Sequence, residues 1–501
     1  MLFNSVDFQV FFPVVLLIYF VIPNRFLKIK NLWLLIASYY FYMSWNAKYI
    51  VLIFASTVIT YLCGILLEQI KRSDLSEKDK IKRKKLALIL SLVINLGILG
   101  YFKYTNFFLD TIENALSLCH ISLNIPNFDI LLPVGISFYT FQAVGYTIDV
   151  YRDDIYAEKS FVQYALFVSF FPQLVAGPIE RSRNLIKQLA VPHKLEMENL
   201  KKGVLLMIWG YFLKIVIADR IAIFEDTVFG NYHDYKGWFI VLGILLFCIQ
   251  LYCDFYGYSI IATGAAKVLG INLMENFNTP FFSHTIGEFW RRWHVSLTSW
   301  FTDYIYFPLG GSRKGKIRKW RNILIVFFLS GLWHGASLNY VMWGVVNGLF
   351  QIVGEMLMPI RIKLRNILRI NVKSLGYRLS QIAVTFGLFT LSIIPIRALT
   401  WDAIKYTAKE YVAPRNPWIF FDGSLFTAGL NEKNFTVLAV SILILLIADV
   451  CKYNKIVISD VILRQDMPIR WICFVGGIVL VLIFGMWGPA FAKENFIYFQ
   501  F

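Results

Sequence analysis

The sequence predicts an all-α integral membrane protein, and two observations carry that prediction. The first is composition: 57% of the 501 residues are hydrophobic, only 16% are charged, and the mean hydropathy is +0.59. Soluble domains carry about 25% charged residues, so this chain lacks the polar groups needed to cover a water-facing surface. The second is pattern, because apolar runs long enough to cross a bilayer as helices recur from end to end. A soluble enzyme and a disordered or fibrous chain are therefore excluded.

The apolar runs predict the individual membrane helices. The clearest runs cover residues 7–23, 32–45, 49–67, 86–104, 203–218, 238–253, 377–395, 435–450 and 471–491. Weaker runs at 131–148, 161–179 and 295–309 are interrupted by Pro and Gly, which predicts broken or re-entrant segments. Irregular backbone is tolerated at membrane depth only where it is buried or lines a wet cavity, so we expect a cavity inside the membrane.

We expect about 11–14 membrane helices in all, some of them broken or re-entrant. Neither a repeat nor a low-complexity linker divides the sequence. It therefore predicts a single membrane domain over residues 1–501, with N-terminal helices in 1–130, a catalytic core in 131–357 and C-terminal helices in 358–501.

The net charge of +17 sits in three basic clusters, at residues 71–85, 313–321 and 361–378. Together they hold twenty basic and three acidic residues, so the rest of the chain is neutral overall. Lys and Arg beside membrane segments stay cytoplasmic, which predicts that both termini are extracytoplasmic. The excess charge thus indicates membrane orientation, and no nucleic-acid partner is expected.

The third cluster has a helical repeat. Arg361, Arg365, Arg369 and Lys373 recur every four residues beside apolar side chains. This spacing predicts an amphipathic helix lying on anionic membrane lipids, with a solvated basic loop as the alternative.

His334 is the first candidate catalytic residue. It stands thirteen residues after Arg321, which at about 1.5 Å per residue places it roughly 20 Å into a bilayer core of about 30 Å. Residues 321–357 suffice for two helices with a turn near 335–339, so His334 is expected at the tip of a hairpin. A buried neutral imidazole suits a general base, and Ser330 lies one turn away, able to fix its tautomer. The alternative is a histidine that only joins two helices through a hydrogen bond.

A second candidate constellation surrounds His294. On a helix, Arg291, His294 and Thr298 would share a face, with Trp290 one turn before His294. Such cationic and aromatic groups suit a phosphate-bearing thioester donor or the phosphates of a lipid carrier. The alternative is an interfacial belt in which Trp and Arg anchor a helix at the lipid headgroups. The residues expected to line a donor or substrate tunnel are Trp290, Arg291, Arg292, Thr298, Asp303, Ser330 and Trp333.

Several motifs resemble the membrane-bound O-acyltransferase (MBOAT) family, in the branch that serves bacterial alginate O-acetylation and related polysaccharides. The principal strings are FWRRWHVSL at 289–297, PLGG at 308–311 and SGLWHG at 330–335. Supporting strings are PVGISFYTF at 133–141, FFPQLVAGPI at 170–179 and the tail FIYFQF at 496–501. One position departs from the pattern: relatives commonly have a second Asp after the string DFYGYS at 254–259, where this chain has Ile260.

The resemblance implies a multi-pass O-acetyltransferase of the bacterial cytoplasmic membrane. Its helices would surround a central tunnel, through which an acyl group, most simply acetyl, would pass from acetyl-CoA or another cytoplasmic acyl thioester to a polysaccharide or cell-wall polymer outside. The family's two characteristic histidines correspond to His334, usually held essential, and His294. The resemblance implies no metal and no bound cofactor, and it implies a secreted or membrane-anchored acetyltransferase partner at the outer face, besides membrane lipids.

Two alternatives remain at this point. D-alanyl transfer to teichoic acids resembles the same family in the two histidines but usually draws on a carrier protein as donor. Outside the enzymes, a polytopic transporter would also be basic inside, but paired intramembrane acids or matching broken helices in two halves are not apparent.

Overall fold

The computed structural model describes residues 1–121, 128 and 131–487, and all regular secondary structure in these ranges is helical. The prediction of an all-α protein is confirmed. Two compact units emerge, one formed by residues 1–203 with 262–274 and the other by residues 204–261 with 275 onward. The motif at 496–501 and the tail predicted to be extracytoplasmic lie outside the described residues.

The first unit is built from long apolar helices followed by short ones. Its helices are α1 (Val6–Val21), α2 (Leu27–Met43), α3 (Ile50–Arg72), α4 (Glu77–Leu118), α5 (Ile136–Tyr151), α6 (Phe161–Ser169), α7 (Phe171–Leu174) and α8 (Ser182–Leu189). The run at 161–179, predicted to be broken, is indeed split between α6 and α7.

The second unit contains most of α9 and α11 and all later helices. In chain order they are α9 (Met197–Tyr211), α10 (Asp219–Gly230), α11 (Trp238–Val268), α12 (Ile286–Arg292), α13 (Val295–Phe301), α14 (Lys316–His334), α15 (Leu338–Met356), α16 (Met358–Ile367), α17 (Leu375–Arg397), α18 (Trp401–Val412), α19 (Glu432–Tyr453), α20 (Ile458–Leu463) and α21 (Met467–Phe484). Two π-helical segments, Phe212–Ala218 and Thr302–Tyr306, join α9 to α10 and extend α13.

Six helices of the described chain are long and apolar enough to cross a membrane, or up to eight if each of two bent helix pairs is one span. The six are Ala47–Arg72, Glu77–Ser117, Trp238–Val268, Leu375–Arg397, Glu432–Tyr453 and Met467–Phe484. One bent pair joins α1 to the helix ending at Met43 through an angle of 109°. The chain is therefore a multi-pass membrane protein; the count of 11–14 includes short and broken segments and stays a prediction.

The basic repeat at residues 361–373 forms one helix only in its first half. Helix α16 ends at Ile367, and Arg369 has the left-handed φ of 49°. The N–H of Ile370 donates to the Arg365 carbonyl across this residue, which is the hydrogen bond of a Schellman helix ending. The prediction of an amphipathic helix reaching Lys373 is therefore wrong beyond Ile367.

Candidate active site

The His334 hairpin has the predicted form. Helix α14 ends at His334 and α15 begins at Leu338, so three residues make the turn. Gly331 packs against the carbonyl of Tyr340, and Gly344 packs against the carbonyl of Phe327. The small residues therefore bring the two helix backbones into contact, as small residues do in membrane helix pairs.

His294 lies between two short helices and not within one. Helix α12 ends at Arg292, α13 begins at Val295, and His294 has a φ of 44° in the left-handed region. The prediction that Arg291, His294 and Thr298 share one helical face is therefore wrong. Arg291 is exposed, whereas His294 is 1% exposed.

A neighbouring segment holds this break in place. The N–H of Val295 donates to the carbonyl of Asn276, and the N–H of Asn278 donates to the carbonyl of Arg292, both at 2.9 Å. A left-handed conformation is costly for a residue with a side chain and persists where its surroundings fix it. The two backbone bonds are such surroundings, and they orient the His294 side chain.

The Asn276 side chain binds the His294 ring directly. Its Oδ1 lies 3.1 Å from His294 Nδ1 and also accepts from the N–H and Oγ of Ser296, at 3.3 and 2.9 Å. All three side chains are buried. His294 lies outside the six candidate spans, and burial, together with the nearby His334, holds the pKa of its imidazole well below 6.5. The ring is therefore neutral at physiological pH.

The structure brings the two histidines together. Their ring centroids are 6.2 Å apart, although the residues are separated by forty positions in the chain. Aromatic rings surround them: Phe255 lies 4.6 Å from His294, Trp333 lies 5.8 Å from His294 and 4.9 Å from His334, and Trp343 lies 5.0 Å from His334. Two buried imidazoles in an aromatic setting are suited to move a proton to or from a bound hydroxyl.

The structure places the remaining predicted site residues in different surroundings. Trp290 and Trp333 belong to the aromatic shell, since Trp290 packs on Trp343 at 5.4 Å between centroids. Arg292 instead pairs with Glu288 at 2.8 Å.

Three polar candidates take other positions. Thr298 donates from Oγ1 to the carbonyl of Trp293 at 3.3 Å. Asp303 lies in the π segment that follows α13. Ser330 stands half-buried one turn before His334. Of the predicted aromatic and cationic groups, the aromatic rings of Trp290 and Trp333 thus join the shell around the histidines, whereas Arg291 is exposed and Arg292 pairs with Glu288.

Sequence reasoning missed two features of this region. One is Asn276, which lies in a segment without helical pattern, eighteen residues before His294. Only the folded arrangement relates the two. The other is a buried ion cluster in which Lys214 Nζ bridges Asp219 Oδ1 at 2.7 Å and Asp254 Oδ1 at 2.6 Å. A lysine inside the apolar run 203–218 was a signal for this cluster.

In the part of the chain that the structure describes, no group of three or more His, Cys, Asp or Glu residues is placed to hold a metal ion.

Long apolar helices and a buried histidine pair define a multi-pass membrane protein with a candidate acid–base site, and comparison with known proteins identifies its class. The model of the membrane-bound O-acyltransferase family matches residues 155–365. The probable alginate O-acetylase AlgI of Pseudomonas syringae pv. tomato is 35% identical over 446 residues, covering 88% of this chain and 79% of that protein. The chain belongs to the membrane-bound O-acyltransferase family and is an acyltransferase.

Two further relatives carry different names. The peptidoglycan O-acetyltransferase of Helicobacter pylori is 34% identical over 379 residues, covering 70% of this chain and 69% of that protein. The teichoic acid D-alanyltransferase of Bacillus subtilis is 30% identical over 239 residues, covering 44% of this chain and 58% of that protein. The similarity therefore extends to relatives named for different polymers and different acyl groups.

Proposed function

We propose that this protein O-acetylates an extracytoplasmic polysaccharide or cell-wall polymer, using an acyl thioester from the cytoplasm. The observation that carries the proposal is the buried His294–His334 pair, with ring centroids 6.2 Å apart. This chain covers most of the length of two relatives that are named as a probable alginate O-acetylase and a peptidoglycan O-acetyltransferase. Their names support a polysaccharide or cell-wall polymer as the acceptor.

In the proposed reaction, His334 is the general base. Its Nε2 takes the proton of the acceptor hydroxyl while the hydroxyl oxygen attacks the thioester carbonyl. The new C–O bond forms, the C–S bond breaks, and the leaving thiolate receives the proton from the His334 imidazolium. His294 either orients the acceptor hydroxyl or supports the oxyanion that develops on the carbonyl oxygen.

The donor proposed is acetyl-CoA or another acyl thioester that enters from the cytoplasmic side through a tunnel. The aromatic shell of Phe255, Trp333 and Trp343 supports an acyl thioester as the donor, because apolar rings around the histidines suit a reactive acyl group that must be kept from water. The proposed location is the bacterial cytoplasmic membrane, with both termini outside.

A secreted or membrane-anchored acetyltransferase is the proposed partner at the outer face. The candidate span α17 follows the basic cluster predicted to be cytoplasmic, so the connection from α17 to α19 would face outward. In this connection the side chains of Trp401, Trp418 and Phe421 are 61%, 67% and 82% exposed. Aromatic side chains are enriched in protein interfaces, and exposed ones are available for such docking.

D-alanyl transfer is the second candidate. It is supported by the teichoic acid D-alanyltransferase match, although that match covers only 44% of this chain. Acetyl transfer is preferred because the O-acetylase relatives align over 70–88% of it.

Analysis of envelope esters tests the proposal. A strain that lacks this protein is complemented with the wild type, with His334→Ala or with His233→Ala, and acetate and D-alanine released by mild alkali are quantified. We expect the wild type and His233→Ala to restore ester-linked acetate, since His233 is exposed and distant in sequence from the pair. His334→Ala should restore almost none while reaching the same membrane level. Loss of D-alanine alone would favour the second candidate, and full restoration by His334→Ala would overturn the proposed base.

A further inference from the structure

We infer that Asn276 is a positioning residue that fixes His294 in the tautomer with the proton on Nδ1, so that Nε2 is left as a hydrogen-bond acceptor toward the bound substrate. The inference rests on the proposed function for the substrate and on the geometry for the tautomer. It excludes one of the two roles left open for His294, support of the oxyanion, because an Nε2 that carries a lone pair has no hydrogen to give an oxyanion.

The orientation of the Asn276 side-chain amide follows from its contact with a backbone N–H group, which can only donate. The backbone N–H of Ser296 lies 3.3 Å from the Asn276 side-chain atom that faces it, and a backbone N–H only donates. That side-chain atom must therefore be the carbonyl oxygen Oδ1. With the amide reversed, an NH₂ group would face the N–H.

The tautomer of His294 follows from the amide orientation. The same Oδ1 lies 3.1 Å from His294 Nδ1, and an amide oxygen only accepts. Nδ1 must therefore carry the proton, which leaves the lone pair of the neutral ring on Nε2. Fixing one ring nitrogen to set the other is the arrangement that histidines in catalytic and metal sites use.

The surrounding backbone makes Asn276 suited to this task. Its own carbonyl accepts from Val295 N–H, so one residue holds both the left-handed turn and the ring that the turn presents. The Ser296 Oγ donates to the same Oδ1 at 2.9 Å, so Ser296 holds the amide oxygen through two donors. A substitution of the Asn276 side chain leaves the backbone bond to Val295 in place.

The test is ¹⁵N NMR of the full-length protein, labelled at histidine nitrogens and reconstituted in lipid bilayers. The His294 signals are those that vanish in His294→Ala. We expect the wild type to show a protonated Nδ1 and an unprotonated Nε2. Asn276→Leu removes the acceptor at similar size, so His294 should lose its preference for the Nδ1–H form, and acetyl transfer should fall about 10- to 100-fold. Asn276→Asp keeps the acceptor oxygen and should retain both the tautomer and most of the transfer.

Asn347→Leu is the matched control, because Asn347 is also a buried amide but donates to the Trp343 carbonyl. It should leave the His294 tautomer unchanged. A wild-type His294 protonated on Nε2, or an unchanged tautomer in Asn276→Leu, would overturn the inference. If His294→Ala retains full transfer while the spectrum is as expected, the proposed role of His294 in the reaction fails and the tautomer assignment stands.

Discussion

Gly331 of α14 packs directly against the carbonyl group of Tyr340 on α15, and the contact leaves no room for a Cβ atom. Since the atom that a Cβ would meet belongs to the backbone, a larger side chain would have to push the helices apart. We expect Gly331→Ala to destabilise the hairpin by about 1–3 kcal/mol, the usual cost of overpacking. The melting temperature of the purified protein in detergent measures this.

Gly354 on α15 serves as the control for that substitution. A Cβ at Gly354 meets nothing within 4 Å. Gly354→Ala should therefore leave the melting temperature unchanged or raise it slightly, because alanine favours helix. Equal melting temperatures for both variants would contradict the tight contact.

The Lys214 cluster gives a second prediction. Lys214 is 3% exposed, and Lys214→Met would leave the buried carboxylates of Asp219 and Asp254 without their shared cation. Removing one partner of a buried ion pair costs about 3–5 kcal/mol. We expect a correspondingly large fall in thermal stability, with part of it recovered when both aspartates are also replaced by asparagine.

A partly exposed ion pair provides the comparison. Lys319 pairs with Glu355 at 2.7 Å, with 30% and 34% of the two side chains exposed. Lys319→Met should cost about 0–1 kcal/mol. If Lys214→Met is as mild as Lys319→Met, the buried cluster does not stabilise the fold.

The sequence was sufficient for features that depend on local pattern. Composition indicated the membrane, and the length of the run before His334 indicated the hairpin. The break between α12 and α13 at His294 was not predictable in this way. A helical pattern does not reveal a residue whose left-handed conformation is stabilised by hydrogen bonds from another segment of the chain. Asn276 supplies that support by hydrogen bonding, which leaves no periodic trace in the sequence. The end of α16 at Ile367 escaped prediction for the same reason, since Arg369, and not a glycine, is the left-handed residue that follows the helix.

Relative activities of the two histidine variants form a third prediction. We expect His334→Ala to lower acetyl transfer by about 10² to 10⁴, the usual contribution of a general base. His294→Ala should cause a smaller loss, because an orienting hydrogen bond does less than proton transfer. Turnover is measured per molecule of folded protein, with melting temperature as the check on folding. A larger loss for His294→Ala would instead indicate that His294 is the general base and His334 the orienting residue.

The departure at Ile260 gives the last prediction. Ile260 lines an apolar groove of about 550 Å³ with Ile444, Ile447 and Leu480. At 3.6 residues per turn, the five positions from Phe255 to Ile260 amount to a full turn plus about 140°, so the two side chains leave α11 on different faces. Phe255 faces His294, and Ile260 therefore faces away from the histidine pair.

We accordingly expect Ile260→Asp to act on stability and not on chemistry. A carboxylate placed at membrane depth costs about 2.5–3.5 kcal/mol, which should lower the melting temperature, whereas Ile260→Leu should change it little. Acetyl transfer per folded molecule should equal that of the wild type in both variants. Altered transfer by Ile260→Asp at unchanged stability would instead connect the groove to the reaction, and a carboxylate at this position would then have a role that isoleucine cannot fill.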